Sequence, residues 1–215
     1  MRETVSENLS PEEIERRSFA VITSELGDIE LSAENAPVVK RVIHATADFD
    51  FARTLSFSEG AVAAGVAALR RGCVIVTDTQ MAKAGISKTA CGRLGCEVHC
   101  HIGDEDVRIE AKERGTTRSR AAADKAATLW GDGMFVVGNA PTALMRLYEH
   151  IRSGDLRPAL VIGVPVGFVH VVESKELIMS CDVPRIVAMG RKGGSNVAAA
   201  IVNALLYRAL DAMPV

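Results

Sequence analysis

The sequence predicts an α/β protein, with a mainly parallel sheet of about five strands covered by helices on both faces. Three observations carry that expectation. Short apolar runs recur beyond Gly72, at residues 73–76, 97–100, 134–137, 160–162 and 185–188. Helical patterns separate most of them, and apolar runs alternating with helices mark parallel strands buried on both sides. The composition, rich in alanine and valine and poor in aromatics, suits helices packed closely on a sheet.

The elements follow in order. Ser10-Pro11-Glu12-Glu13 opens the first helix, with serine as cap, proline in the first helical position and Glu13 completing a capping box. Ile14, Phe19, Ile22 and Leu26 keep roughly helical spacing, and Gly27 ends the helix. A second helix opens at Asn35-Ala36-Pro37 and runs through Val38, Val39, Val42 and Ile43 to Asp48-Phe49-Asp50-Phe51. Residues 53–57 read as a short extended piece, and Ser58 as the cap of an alanine-rich helix that stops at Gly72. Between the second and third strands, Gly115-Thr116-Thr117-Arg118-Ser119-Arg120 leads into a helix over 121–130, capped by Thr117 or Ser119. The last helix, 195–210, packs Val197, Ile201, Ala204 and Leu205. With no internal repeat and no low-complexity linker, residues 1–215 read as a single domain.

Composition excludes several function classes. The net charge of −2 argues against a broadly basic nucleic-acid surface, although Arg191-Lys192 is a local anion-binding candidate. No apolar run is long enough to span a membrane, and the polar, acidic first ten residues lack the layout of a signal peptide, so a cytoplasmic protein is expected. Five cysteines follow no disulfide framework and are expected as free thiols. The cluster Cys91, Cys96, His99, Cys100, His101 has no paired Cys-x-x-Cys spacing, so no metal site is expected. It alternates instead, with Cys96, Val98 and Cys100 on one side of a strand and Glu97 and His99 on the other.

His44 is the candidate proton donor. It stands near a helix C-terminus, where the dipole favours a protonated imidazole, and histidine is the side chain that titrates nearest neutral pH. Three strand-end loops are rich in glycine: Gly138-Asn139-Ala140-Pro141, Gly163-Val164-Pro165-Val166-Gly167-Phe168 and Gly190-Arg191-Lys192-Gly193-Gly194-Ser195-Asn196. Open parallel sheets bind ligands beyond the carboxyl ends of their strands, glycine permits close approach, and the following helix N-termini favour anions. Arg118 and Arg120, at a helix start where their charge opposes the dipole, read either as facing an anionic ligand or as a solvated surface. Arg16-Arg17 alone reads as a solvated basic face. The chain contains neither a dinucleotide fingerprint nor a P-loop nor a nucleophile elbow. The residues thus describe an α/β binder of a small acidic molecule, with His44 as candidate acid.

The assembled motifs resemble the precorrin-8X methylmutase family, which includes the cobalt-precorrin-8 methylmutases. The resemblance rests on Arg17-Ser18-Phe19, Arg41-Val42-Ile43-His44-Ala45-Thr46-Ala47-Asp48, Thr117-Arg118-Ser119, Gly138-Asn139-Ala140-Pro141-Thr142-Ala143-Leu144, Pro165-Val166-Gly167-Phe168-Val169 with Glu173-Ser174-Lys175, and Gly190-Arg191-Lys192-Gly193-Gly194-Ser195. They fall in order across nearly the whole chain. The resemblance implies a three-layer α/β/α fold and a homodimer with sites shared at the interface. It also implies migration of a methyl group from C11 to C12 of a corrin-ring precursor in vitamin B12 synthesis, with His44 catalytic. Family ligand contacts map onto Ser18, Ser87 and Arg118, with serine at Ser87 where threonine is expected. Arg17, Asn139, Arg191 and Ser195 complete the expected substrate-binding set. A corrinoid substrate and product are implied, with no cofactor, because a methyl shift along a conjugated ring needs its electrons redistributed by a proton rather than a redox partner. The sequence leans towards the cobalt-containing substrate. A non-catalytic corrinoid carrier would need the same pocket, and a weaker alternative is a nucleotide-dependent oxidoreductase using the loop 190–196 as a phosphate cradle.

Overall fold

The structure, a computed structural model, describes residues 9–211. The polar segment 1–8, on which part of the cytoplasmic expectation rested, lies outside the described residues. Six strands form the sheet: β1 Leu55–Phe57, β2 Ile75–Thr77, β3 Val98–His99, β4 Met134–Val137, β5 Leu160–Gly163 and β6 Arg185–Ala188. Their order is β1-β6-β5-β4-β2-β3, parallel throughout except for β1, which pairs antiparallel with β6. The expected five strands are therefore short by one. The segment read as extended over 53–57 divides into a helical turn, α3 Phe51–Thr54, and the edge strand β1, whose Leu55 and Phe57 register on Ala188 and Ile186.

Alternation along the strands sorts the core into two halves. Met134, Val136, Leu160, Ile162, Ile186 and Ala188 pack on one face, beneath α1 Pro11–Leu26, α2 Ala36–Thr46, α4 Ala61–Arg70 and α11 Ser195–Ala209. Phe135, Val137, Val161 and Val187 pack on the other, against α8 Arg118–Leu129, α9 Pro141–Ser153 and α10 Val171–Met179. This is the three-layer α/β/α arrangement. The short helices α5 Gln80–Gly85 and α6 Lys88–Leu94 follow β2, and α7 Glu105–Glu113 packs on α8. Helix α11 is buried almost all round, and its alanines let α2, α4 and α5 approach closely. Among the described residues no helix is long and apolar enough to cross a membrane.

Local rules explain most boundaries and two departures. The Ser10 hydroxyl accepts from the Glu13 N–H at 3.2 Å, but the Glu13 carboxylate turns to Arg16 and Arg17 instead of closing a capping box. Ser58 does not cap α4. Its hydroxyl accepts from the Arg185 N–H at 3.0 Å, pinning the end of β1 to β6, while Gly60 at φ 65° takes the cap position. Thr117, not Ser119, caps α8 by accepting from the Arg120 N–H. Cys96 and Cys100 are buried and Glu97 exposed, as the alternation requires, while His99 and His101 flank the Trp130 ring at 4.4 and 5.0 Å.

The tightest backbone approach lies between two strand-end loops. A Cβ on Gly193 would fall 2.1 Å from the Val164 carbonyl oxygen, which also accepts from the Gly194 N–H at 2.9 Å. We expect Gly193→Ala to destabilise the fold by about 1–3 kcal/mol, the usual cost of forcing atoms into a closed contact. Denaturant unfolding would measure it, and an unchanged midpoint would contradict the close approach.

Candidate active site

Helix α2 delivers His44 because its apolar face, Val38, Val39, Val42 and Ile43, locks onto the core and turns the next residue outward. The helix stops at Ala47, in the left-handed region at φ 53°, with its N–H bonded to the Ile43 carbonyl at 2.7 Å. His44 is exposed in the last turn, and its ring stacks on Phe19 of α1 at 5.2 Å. Around it lies an open cleft of about 570 Å3 whose lining includes Ile14, Arg17, Ser18, Val21 and Phe49. The structure thus brings His44, Arg17 and Ser18 together. The Arg17 Nε donates to Glu13 at 2.8 Å, and the Ser18 hydroxyl donates to the Ile14 carbonyl at 2.8 Å, leaving its oxygen able to accept.

A second group forms along the carboxyl edge of the sheet. Strands β2 and β4 are neighbours, β3 lies outward of β2 and β5 outward of β4, so the chain changes direction between them. Such switch points are where open sheets leave a crevice. Here it is bridged by Asp78, which directly follows β2. Its buried carboxylate accepts from the N–H groups of Gly138, Asn139 and Ala140 at 2.9, 2.8 and 2.7 Å. Burial pushes this carboxyl above the usual range, against three hydrogen bonds that favour the ion. Thr79 beside it shares a hydrogen bond of 2.8 Å with Ser195, the first residue of α11. Asn139 remains exposed, whereas Ser195 is buried with its hydroxyl engaged.

Arg191 lies over the exposed Phe168 ring at 5.5 Å. Its loop is held from below by Lys175, which is 1% exposed and donates to the Gly190 and Lys192 carbonyls at 2.7 and 2.9 Å. Burial lowers the Lys175 pKa to about 8. Lys192 is not an available anion ligand: its ammonium bonds Asp48 and Asp50 at 2.7 and 2.6 Å. That contact ties the loop to the end of α2, one turn beyond His44.

The remaining expectations divide. Arg118 is exposed at the start of α8, next to Thr117, whose hydroxyl meets Thr142 of α9 at 2.9 Å, so it borders the Asn139 loop. Arg120 does not face a ligand, because its guanidinium bonds Glu149. Ser87 caps α6, accepting from the Ala90 N–H at 3.2 Å, while its own N–H donates to Asn203 of α11 at 2.8 Å. It does not line the His44 cleft. Sequence reasoning gives no role to Asp78, or to Lys175 beyond its place in a motif, yet both brace the strand-end loops. The visible signals were an aspartate directly after a buried strand and a lysine on the buried face of an apolar helix.

The structure sets a glycine-rich sheet edge, built around a topological switch point, beside an exposed histidine on a flanking helix, the layout of an α/β protein with a candidate small-molecule site. The comparisons make the class specific. Residues 13–208 match the family model described as precorrin-8X methylmutase, and the chain belongs to that family. It is 46% identical over 208 residues to the cobalt-precorrin-8 methylmutase of Salmonella typhimurium, covering 94% of this chain and 97% of that one. It is 41% identical over 194 residues to the precorrin-8X methylmutase of Pseudomonas aeruginosa, covering 89% and 93% of the two chains. The crystal structure of the precorrin-8X methyl mutase from Thermus thermophilus superposes with a TM-score of 0.86 at 41% identity, covering 92% and 98%.

The buried Lys175 has a measurable signature. Its native pKa of about 8 lies below the ordinary 10.5, so between those values the unfolded chain binds a proton that the native protein does not. Across that window the Lys175 contribution to stability rises with pH. We expect the difference in unfolding free energy between wild type and Lys175→Met to shift towards the wild type as pH climbs from about 8 to 10.5. A pH-independent difference would mean the ammonium is not desolvated as described.

Proposed function

We propose that this chain is an isomerase of cobalamin biosynthesis that moves a methyl group from C11 to C12 of (cobalt-)precorrin-8, with His44 as proton donor to the ring. The observation that carries the reading is His44 itself, exposed and stacked on Phe19 in a cleft with Arg17 and Ser18. In the isomerisation the C11–methyl bond breaks as the C12–methyl bond forms, and a proton lent to a ring nitrogen redistributes the ring electrons. Arg118, Arg191 and the sheet-edge helix N-termini suit the carboxylates on the rim, since charge-assisted bonds are the strong ones. Cobalt-containing substrate is the form we favour.

The active unit we propose is a homodimer with shared sites. Two features support it. Ser87 lies outside the cleft that holds His44, as expected if a second copy completes each site. Ile14 and Val21, both on that cleft, are 52% and 54% exposed, an apolar surface suited to burial. Sedimentation at micromolar concentration should give a dimer, and a fully active monomer would defeat the shared site.

The acid role is tested by separating binding from turnover. His44→Ala should keep product affinity within about tenfold, roughly 1.4 kcal/mol, while turnover falls at least about a hundredfold. His44→Asn, able to hydrogen-bond but not to titrate, should be nearly as slow. Running the assay on cobalt-containing and metal-free substrates should give the faster rate with cobalt. Near-normal turnover in His44→Ala would remove the acid role. A parallel loss of binding and turnover would make His44 a binding residue and favour a corrinoid carrier.

A further inference from the structure

A second concavity adjoins the His44 cleft across the Phe19 ring. It is a groove of about 830 Å3 between α1, α2 and the end of α11, whose lining includes Phe19, Ala20, Ala36, Pro37, Lys40 and Arg208. None of the groove's lining residues lines the His44 cleft, yet Phe19, on the groove wall, stacks on His44 at 5.2 Å. Its volume lies in the range of small-molecule sites.

The groove combines an apolar wall with uncompensated positive charge. The Lys40 ammonium donates only to the Thr23 hydroxyl, at 3.0 Å, and the Arg208 guanidinium only to the Glu34 carbonyl, at 2.8 Å. Among the described residues neither meets a carboxylate, although most of the other basic side chains bonded elsewhere on these helices do. Neutral oxygens thus orient both cations without neutralising them. Behind Phe19 a third cation adds to the field. Arg41 is buried between the Phe19 and Tyr207 rings, at 4.7 and 5.2 Å, with Glu15 on one nitrogen while Nε and Nη2 have no partner. An apolar wall under oriented, unpaired cations is complementary to a molecule with a flat apolar body and carboxylate arms.

We propose that this groove is a carboxylate subsite, in which Lys40 and Arg208 hold carboxylate-bearing arms of the macrocycle whose reacting edge lies at His44. It rests on the isomerase reading above. The subsite sets how the ring is seated rather than the chemistry, so its loss raises KM and leaves kcat largely intact.

The test uses the full-length protein and the corrin-acid product, followed by its visible absorption. Lys40→Gln and Arg208→Gln should each weaken product binding at least about tenfold, the lower end for a lost charge-assisted contact. Lys40→Arg should restore most of the affinity. Product whose acid arms have been converted to amides should bind wild type more weakly, and the double variant should discriminate less between acid and amide forms. Lys40 touches only a surface threonine hydroxyl, so its variant should melt as wild type does, separating binding from folding. If wild type binds product and both Gln variants match it, the subsite is overturned while the isomerase reading stands. If wild type binds no corrin acid at all, both fall. If the double variant loses its dimer with unchanged affinity per protomer, the groove belongs to a second copy and the proposal is wrong.

Discussion

One buried carboxylate holds the carboxyl edge of the sheet together. Asp78 sits where the sheet changes direction, between β2 and β4, which are neighbours in space but separated along the chain by β3 and four helices. Three consecutive backbone N–H groups, of Gly138, Asn139 and Ala140, lead into α9 and point to one place, and a carboxylate is an acceptor well matched to them. Burying such a group is unfavourable unless its hydrogen bonds are made, and the raised pKa records that tension. The result is a loop with little freedom. Asn139 is presented from a backbone fixed at three consecutive positions, and Thr79 extends the same junction to Ser195 at the head of α11.

His44 is registered on that edge by two independent routes. Below the surface, α2 packs on α11 through small and branched side chains, so its axis cannot shift without opening the core. At the surface, Lys192 binds Asp48 and Asp50 at the end of α2, while Lys175 holds the same loop by its carbonyls. In the reaction proposed above, His44 has to be placed as proton donor against a rigid, extended ring. Positioning of this kind contributes most when the groups on both sides are held before the ligand arrives. The lysines suit their different tasks: Lys192 is a solvated ion pair, and Lys175 a desolvated clamp on neutral carbonyls.

The sequence was most legible where one local rule decided the outcome. The strands β4, β5 and β6 were short, mainly apolar runs, and the turn chemistry at Ser10-Pro11 and Gly27 placed both ends of α1 within a residue. It was least legible where the deciding partner lay far along the chain. Ser58 looked like a helix cap, but the Arg185 N–H claims its hydroxyl. Three residues of edge strand carry too little pattern to announce themselves, and β1 exists because β6 offers it a ladder. Arg120 looked like a ligand arginine until Glu149, one helix later, took it.

Of the candidate site, residue chemistry and periodicity determined a histidine at a helix end and three glycine-rich loops after strands, while Arg17 and Ser18 joined them only through the resemblance to the family. The first are properties of local chain stiffness, periodicity and residue chemistry, and they survive without knowing what packs on what. The tertiary structure alone decided who meets whom. It set His44 against Phe19, spent Lys192 on two aspartates, turned Ser87 into a cap and made Asp78 and Lys175 into anchors. The physical reason is that burial and pairing belong to positions in space. A charged side chain becomes a ligand, a clamp or a counter-ion according to the partners that folding brings within hydrogen-bonding distance, and those partners are written far from it in the chain.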